Sequence, residues 1–175
     1  EMGVLKPDGT LYYTSGRTVT IDKTDSSMGV FEGEAYVIDF EVTSTGDTHL
    51  KQTVPILQYN EVVGAIVSLS DGMFLSQMAE GAGYGKDGYG YIIDSNGTII
   101  GHPNEEFVHN GFNPIAEAQN DRSMKSTASL FETILKDKQG VKNYTFEGRG
   151  LYAGYAPING TDWTFITVAT ENELL

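Results

Sequence analysis

Gly83, Gly85 and Gly88 in GYGKDG meet the glycine spacing G-x-G-x-x-G of a dinucleotide-binding loop. That chemistry needs a strand before the loop and a helix after it, so that the helix N-terminus meets the pyrophosphate. Here a helix-like segment precedes and a strand-like segment follows, so the stretch reads as a flexible connection. His102 and His109 flank Glu105 and Glu106, but their spacing fits no zinc pattern, and the segment reads as a solvated loop after a strand. Asp94-Ser95-Asn96-Gly97 lacks the acidic ladder of a calcium loop. There is no G-x-S-x-G and no cysteine, and His49, His102 and His109 are the only histidines that would serve as bases. The expectation is therefore no enzyme, no metal and no cofactor. Asn96, Asn143 and Asn159 fit N-x-S/T, but turn or strand-end positions explain all three.

The chemistry that remains is recognition. A small-molecule site needs aromatic and apolar walls with a few placed polar groups. Asp39 interrupts the strand-like run YVIDF, and Asp71 ends GAIVSLS. Burying either carboxylate unpaired would be costly. Arg17, Tyr36 and Thr53 fit the same cleft, with Arg17 able to pair a carboxylate when no ligand is bound. Arg17, Tyr36, Asp39, Thr53 and Asp71 are thus the candidate ligand-binding residues.

Strands must position these groups. MGVLKPDGTLYYTSG reads as a hairpin turning at KPDG, and GYIIDSNGTII as a second one turning at DSNG. AYVIDFEV, HLKQTVPIL and EVVGAIVSL read as strands, the last two joined by QYN. VKNYTFEG, LYAGYAPI and DWTFITVAT are three more. TIDKTDSSMGVFEGEA reads as loop with a short helix, DGMFLSQMAEG as a helix, and NPIAEAQNDRSMKSTASLFETILKDKQG as the longest helical stretch. The chain ends in ENELL, the start of another helix.

The pattern occurs twice. VLKPDGTL (4–11) parallels IIDSNGTI (92–99), with Gly9 matching Gly97 and Thr10 matching Thr98; Pro55-Ile56 and Pro157-Ile158 mark later strands in each half. The expected fold is α+β: two modules in series, each a five-stranded antiparallel sheet with flanking helices, joined near residues 79 to 88.

The net charge of −13, from 11 Lys+Arg against 24 Asp+Glu, repels phosphate backbones, so no nucleic-acid partner is expected. The absence of cysteine excludes disulfides but does not decide the compartment. No run approaches the roughly 20 apolar residues of a membrane span. A start at Glu1 without a signal peptide reads as a piece of a longer protein.

The stretch GYGYIIDSNGTIIGHPNEE resembles the membrane-proximal module of double Cache domains, where Gly-Tyr, a strand, Asp-x-x-Gly, a strand and His-Pro-Asn recur. KDKQGVKNYTFEGRGLYAGYAPINGTDWTFITVAT is similar to that family's closing strands, including Ala156-Pro157-Ile158 and Trp163. GTLYYTSG and TVPILQYNEVVGAIVSLSDGMFLSQM resemble the membrane-distal module more loosely. The resemblance implies two PAS-like modules, residues 1–80 distal and ligand-binding and 81–175 proximal, with a long N-terminal helix missing or truncated. It implies an extracytoplasmic sensor of a bacterial transmembrane receptor, whether chemoreceptor, histidine kinase or cyclic-di-nucleotide enzyme. Such a receptor would be a homodimer joined to the membrane by flanking helices outside this chain. The alternative is a degenerate pair acting as a structural or dimerisation module, or as a docking site for a periplasmic binding protein. Amino-acid-binding members carry an Arg and aromatic residues where this chain has Thr24, Ser26 and Ser27, while Asp71 matches the family's acidic residue after the last distal strand. The ligand expectation is accordingly an amine, an amino acid or another small solute.

Overall fold

The computed structural model describes residues 1–174. The chain divides into two compact units, the first Glu1–Gly72 and the second from Met73 onward.

The first unit is built on one antiparallel sheet. Its strands are β1 (Met2–Leu5), β2 (Thr10–Tyr13), β3 (Thr18–Thr20), β4 (Val37–Val42), β5 (Thr48–Gln58) and β6 (Glu61–Asp71), in the order β3-β2-β1-β6-β5-β4. The sheet has six strands where five were expected. The turn at Gly16 folds the β-branched triplet Thr18-Val19-Thr20 back onto β2, a strand too short to stand out from the polar segment around it. Between β3 and β4 a 3-10 turn, Ser26–Phe31, is capped by the Asp25 carboxylate, which accepts the Ser27 N–H. Met28 and Val30 of this turn close the apolar core over Leu5, Leu11, Val37, Ala65 and Val67. QYN is a two-residue connection: Gln58 pairs with Glu61, and Tyr59 and Asn60 both take positive φ, as a tight hairpin requires.

The second unit opens with α1 (Phe74–Glu80), followed by β7 (Tyr89–Ile93) and β8 (Ile99–Gly101). Next come α2 (Glu105–His109), α3 (Pro114–Glu117) and α4 (Lys125–Asp137), then β9 (Gly140–Phe146), β10 (Arg149–Pro157), β11 (Thr164–Thr170) and α5 (Glu171–Leu174). The sheet order is β8-β7-β11-β10-β9, antiparallel throughout. The division falls before α1 rather than at residue 80, because α1 packs on β7 and β8, and its Ser76 hydroxyl accepts the His102 N–H at 3.2 Å. The expected single long helix is broken into pieces. Asn113 caps α3 ahead of Pro114, and Asp121 caps a further 3-10 turn at Arg122–Met124, so two start signals interrupt one helical-looking stretch. Asn143 lies inside β9, opposite Tyr152, rather than at a strand end.

The two sheets share a strand order: second, first, last, last but one, last but two, with β3 added outside β2 in the first unit. The opening turns match as well. Lys6 N–H bonds Thr10 O and Gly9 N–H bonds Lys6 O at 2.8 and 3.0 Å; Asp94 to Thr98 and Gly97 to Asp94 repeat the pair at 2.9 and 3.1 Å. Gly9 and Gly97 have φ of 87° and 82°.

Candidate functional site

Antiparallel pairing fixes which side chains of the first sheet share a face, because directly opposed residues point to the same side. Three cross-strand rows on the core side are Val37–Thr53–Val67, Asp39–Lys51–Leu69 and Glu41–His49–Asp71. The face therefore passes from apolar core to a charged end within three rows. Asp39, Thr53 and Asp71, three of the five residues anticipated from sequence, lie on it together.

Lys51 is the centre of the charged end. It is buried, and its ammonium donates to both oxygens of Asp25 at 3.1 Å and to Glu41 Oε1 at 2.5 Å. Burial works against the charged form, but the Glu41 and Asp25 carboxylates outweigh it and hold the lysine pKa above its ordinary value. Burial likewise opposes the charge on Asp25, and the bonds from Ser27 and Lys51 more than offset it, leaving its pKa below the usual range. Asp25 thus joins the capped 3-10 turn to β5, next to the edge of the sheet. Next to it, the Ser26 hydroxyl donates to Asp39 Oδ2 at 2.6 Å.

Thr53 differs from these neighbours. It is fully buried, and among the described residues its Oγ1 is a buried side-chain oxygen with no hydrogen-bond partner. Buried hydroxyls are ordinarily bonded, because leaving one bare costs free energy. Arg17 stands elsewhere on the same unit, in the turn from β2 to β3. It pairs with Glu1 at 2.8 Å and lies over the Tyr13 ring at 4.0 Å. Tyr13 shares the Thr53 row through Gly3 and Val67. Tyr36 precedes β4, is exposed, and is not part of the rows around Lys51.

In the second unit, His102 is a correction to the solvated-loop expectation: it is 9% exposed. Its ring contacts those of Tyr89, Tyr91 and Phe107 at 5.3, 5.7 and 4.9 Å. Nδ1 accepts the Asn104 N–H at 2.8 Å, so the remaining proton sits on Nε2. Burial lowers its pKa to about 4. Burial also raises the pKa of Tyr89, Tyr91 and Tyr144, whose hydroxyls bond one another around Tyr144. These rings line a partly open pocket of about 20 Å³, about the room one water needs. His109 and the Glu105–Glu106 pair are exposed on α2, with the two carboxylates in its first turn. Among the described residues, no three His, Cys, Asp or Glu side chains gather to hold a metal ion.

The residue missed from sequence is Lys51. In HLKQTVPIL it alternates with Leu50 and Gln52, and alternation alone does not say which side is the core. The group combines carboxylates at Asp39, Glu41 and Asp71, a held ammonium at Lys51 and a bare hydroxyl at Thr53.

The Cache-domain family profile matches residues 1–175. Solved structures share the fold at low identity. The ligand-binding domain of Mlp24 with asparagine is 20% identical with a TM-score of 0.62, over 98% of this chain and 68% of that one. The extracellular domain of mmHK1S-Z3, assigned as a histidine kinase, is 12% identical at 0.68, over 99% and 73%. The ligand-binding domain of the Pseudomonas fluorescens chemoreceptor CtaA with L-isoleucine is 13% identical at 0.62, over 98% and 69%. No protein of curated function matches the chain in sequence.

Proposed function

The chain belongs to the Cache-domain family, and we propose that it is the extracytoplasmic small-molecule-sensing part of a bacterial transmembrane receptor. In this reading it is a double Cache domain, two PAS-like modules in series, with the ligand held by the first. The shared strand order and the matching turns at Gly9 and Gly97 support the tandem reading. The receptor is a homodimer whose flanking helices, outside this chain, reach the membrane; among the described residues no helix is long and apolar enough to cross one. The output is that of a chemoreceptor, a histidine kinase or a cyclic-di-nucleotide enzyme, and the domain itself is not catalytic.

The observation that carries the reading is the bare Thr53 hydroxyl, buried one row from Lys51 and Asp39. A polar solute seated there would satisfy Thr53 while Asp39 and Asp71 receive its donors. Four nearby carboxylates against one lysine favour an amine or an amino acid, while Arg17, paired with Glu1, and Tyr36, ahead of β4, stand outside these rows. A ligand signals only through its differential affinity for two states of the receptor. Thermal unfolding with asparagine, isoleucine, serine, glutamine, short diamines, dicarboxylates and purines tests this. A raised melting temperature with one of them is expected; no shift across the set counts against direct sensing.

A structural or docking module is the second reading. Its support is the opposite face of the same sheet, where Tyr12, Val4, Ile66 and Val54 form one exposed cross-strand row. Concentration-dependent dimerisation abolished by Val4→Lys, together with a failed ligand screen, would favour it.

A further inference from the structure

The glycine-spaced loop GYGKDG holds an anion after all, and the anion is part of the chain. Glu173 Oε1 accepts the Lys86 N–H at 2.5 Å and the Asp87 N–H at 3.3 Å, and Oε2 accepts the Thr170 hydroxyl at 2.9 Å. Successive N–H groups turned toward one anion form a nest, the arrangement that phosphate loops use. We propose that residues 83–88 form a carboxylate-binding nest whose ligand is Glu173, and that this contact fixes the direction in which the chain leaves β11.

The loop's composition follows from that occupant. Gly85 has φ of 76°, and a Cβ there would lie 2.4 Å from the Glu173 carboxyl carbon. Gly83 and Gly88 meet backbone to backbone, where a Cβ on Gly83 would lie 2.0 Å from the Gly88 carbonyl carbon. The segment is also tied to β11 upstream of the nest: the Thr167 hydroxyl donates to Ala82 O at 2.6 Å, and Tyr84 N–H to Val168 O at 3.3 Å. The loop therefore follows β11 to its end and grips the first turn beyond it. The hydrogen bonds to the carboxylate hold the Glu173 pKa below its ordinary value. Glu171 sits similarly close to a glycine: a Cβ on Gly150 of β10 would lie 2.4 Å from its carboxylate. The nest is independent of which ligand the first unit takes.

Amide hydrogen exchange and backbone chemical shifts on this chain test the proposal, with Glu173→Ala, Glu173→Gln and Gly85→Ala. Losing a charge-assisted bond should speed exchange at Lys86 about tenfold or more in the two alanine variants. Residues 171–174 should lose their helical shifts at the same time, while Tyr91 and Ile166 keep their protection. Glu173→Gln, which retains an acceptor without the charge, should fall between. Equal exchange at Lys86 in wild type and Glu173→Ala, unchanged shifts in residues 171–174, or acceleration spread equally through β7 and β11 would each overturn it.

Discussion

Lys51 and Thr53 stand two residues apart on β5 and turn to the same buried face, yet the ammonium is held by two carboxylates while the hydroxyl has no hydrogen-bond partner among the described residues. The ion pairs tie the capped 3-10 turn to the sheet; the bare hydroxyl contributes nothing to that tie. A buried hydroxyl without a partner costs stability, and on the reading proposed above a bound solute would supply that partner.

Thr53→Val keeps the shape and removes the hydroxyl. Because the hydroxyl is buried without a partner, the ligand-free protein should gain about 1 kcal/mol of stability. Urea unfolding measures this. A loss of similar size would mean that the oxygen is bonded in solution and that the binding argument built on it fails.

Lys51→Met keeps much of the length and removes the charge, leaving Asp25 and Glu41 facing each other. The Glu41 side chain is 42% exposed and that of Asp25 only 25%, so the Asp25 half carries most of the weight. A loss of roughly 2 kcal/mol at neutral pH is expected. The Asp25 pKa is depressed in the folded protein, so its contribution exists above the ordinary carboxylate pKa and disappears as pH falls through the folded value. The gap between wild type and Lys51→Met should therefore narrow below about pH 4. A gap unchanged from pH 7 to 3 would assign the loss to packing instead.

The sequence carried the strands other than β3 and the two opening hairpins, because turn residues and β-branched runs are local signals. It did not carry the sense of alternation. In VIDFEV the apolar residues Ile38, Phe40 and Val42 suggest the core side, yet Val37, Asp39 and Glu41 face the 3-10 turn. The same inversion hides Lys51, since pairing with Asp25 is set by a loop some 26 residues away. His102 was misread because GHPNEE is polar; its burial comes from α1 and from rings of β7 and α2 that close around it only in the folded unit. Asp71 and Asp39 drew notice because a carboxylate in or ending an apolar strand is itself anomalous; that they contact a ligand belongs to the proposal.

His102 gives the second unit a pH dependence. Its folded pKa, about 4, lies below the usual histidine value of 6.5, so the unfolded chain binds a proton that the folded one refuses. Stability is complete above pH 6.5 and falls as pH drops toward 4, by at most roughly 3 kcal/mol over that window. His102→Gln should flatten this slope relative to wild type, read as melting temperature against pH. Parallel slopes in the two proteins would show that the ring is charged or solvated in solution.

The last expectation separates the two units as sites. Asp71 ends β6 on the charged side of the first sheet, opposite His49, while His102 lies inside the aromatic box of the second unit. If an amine or amino acid binds the first unit, Asp71→Ala removes a charge-assisted bond and weakens binding by at least about 1.5 kcal/mol. His102→Ala costs stability by emptying a packed ring site, but the remaining folded protein should bind with unchanged affinity if the ligand is held by first-unit side chains. Calorimetric titration of both variants with the compound giving the largest thermal shift, at a temperature where each is folded, decides the matter. Normal binding by Asp71→Ala with weakened binding by His102→Ala would move the site to the second unit and leave the bare Thr53 hydroxyl without a ligand.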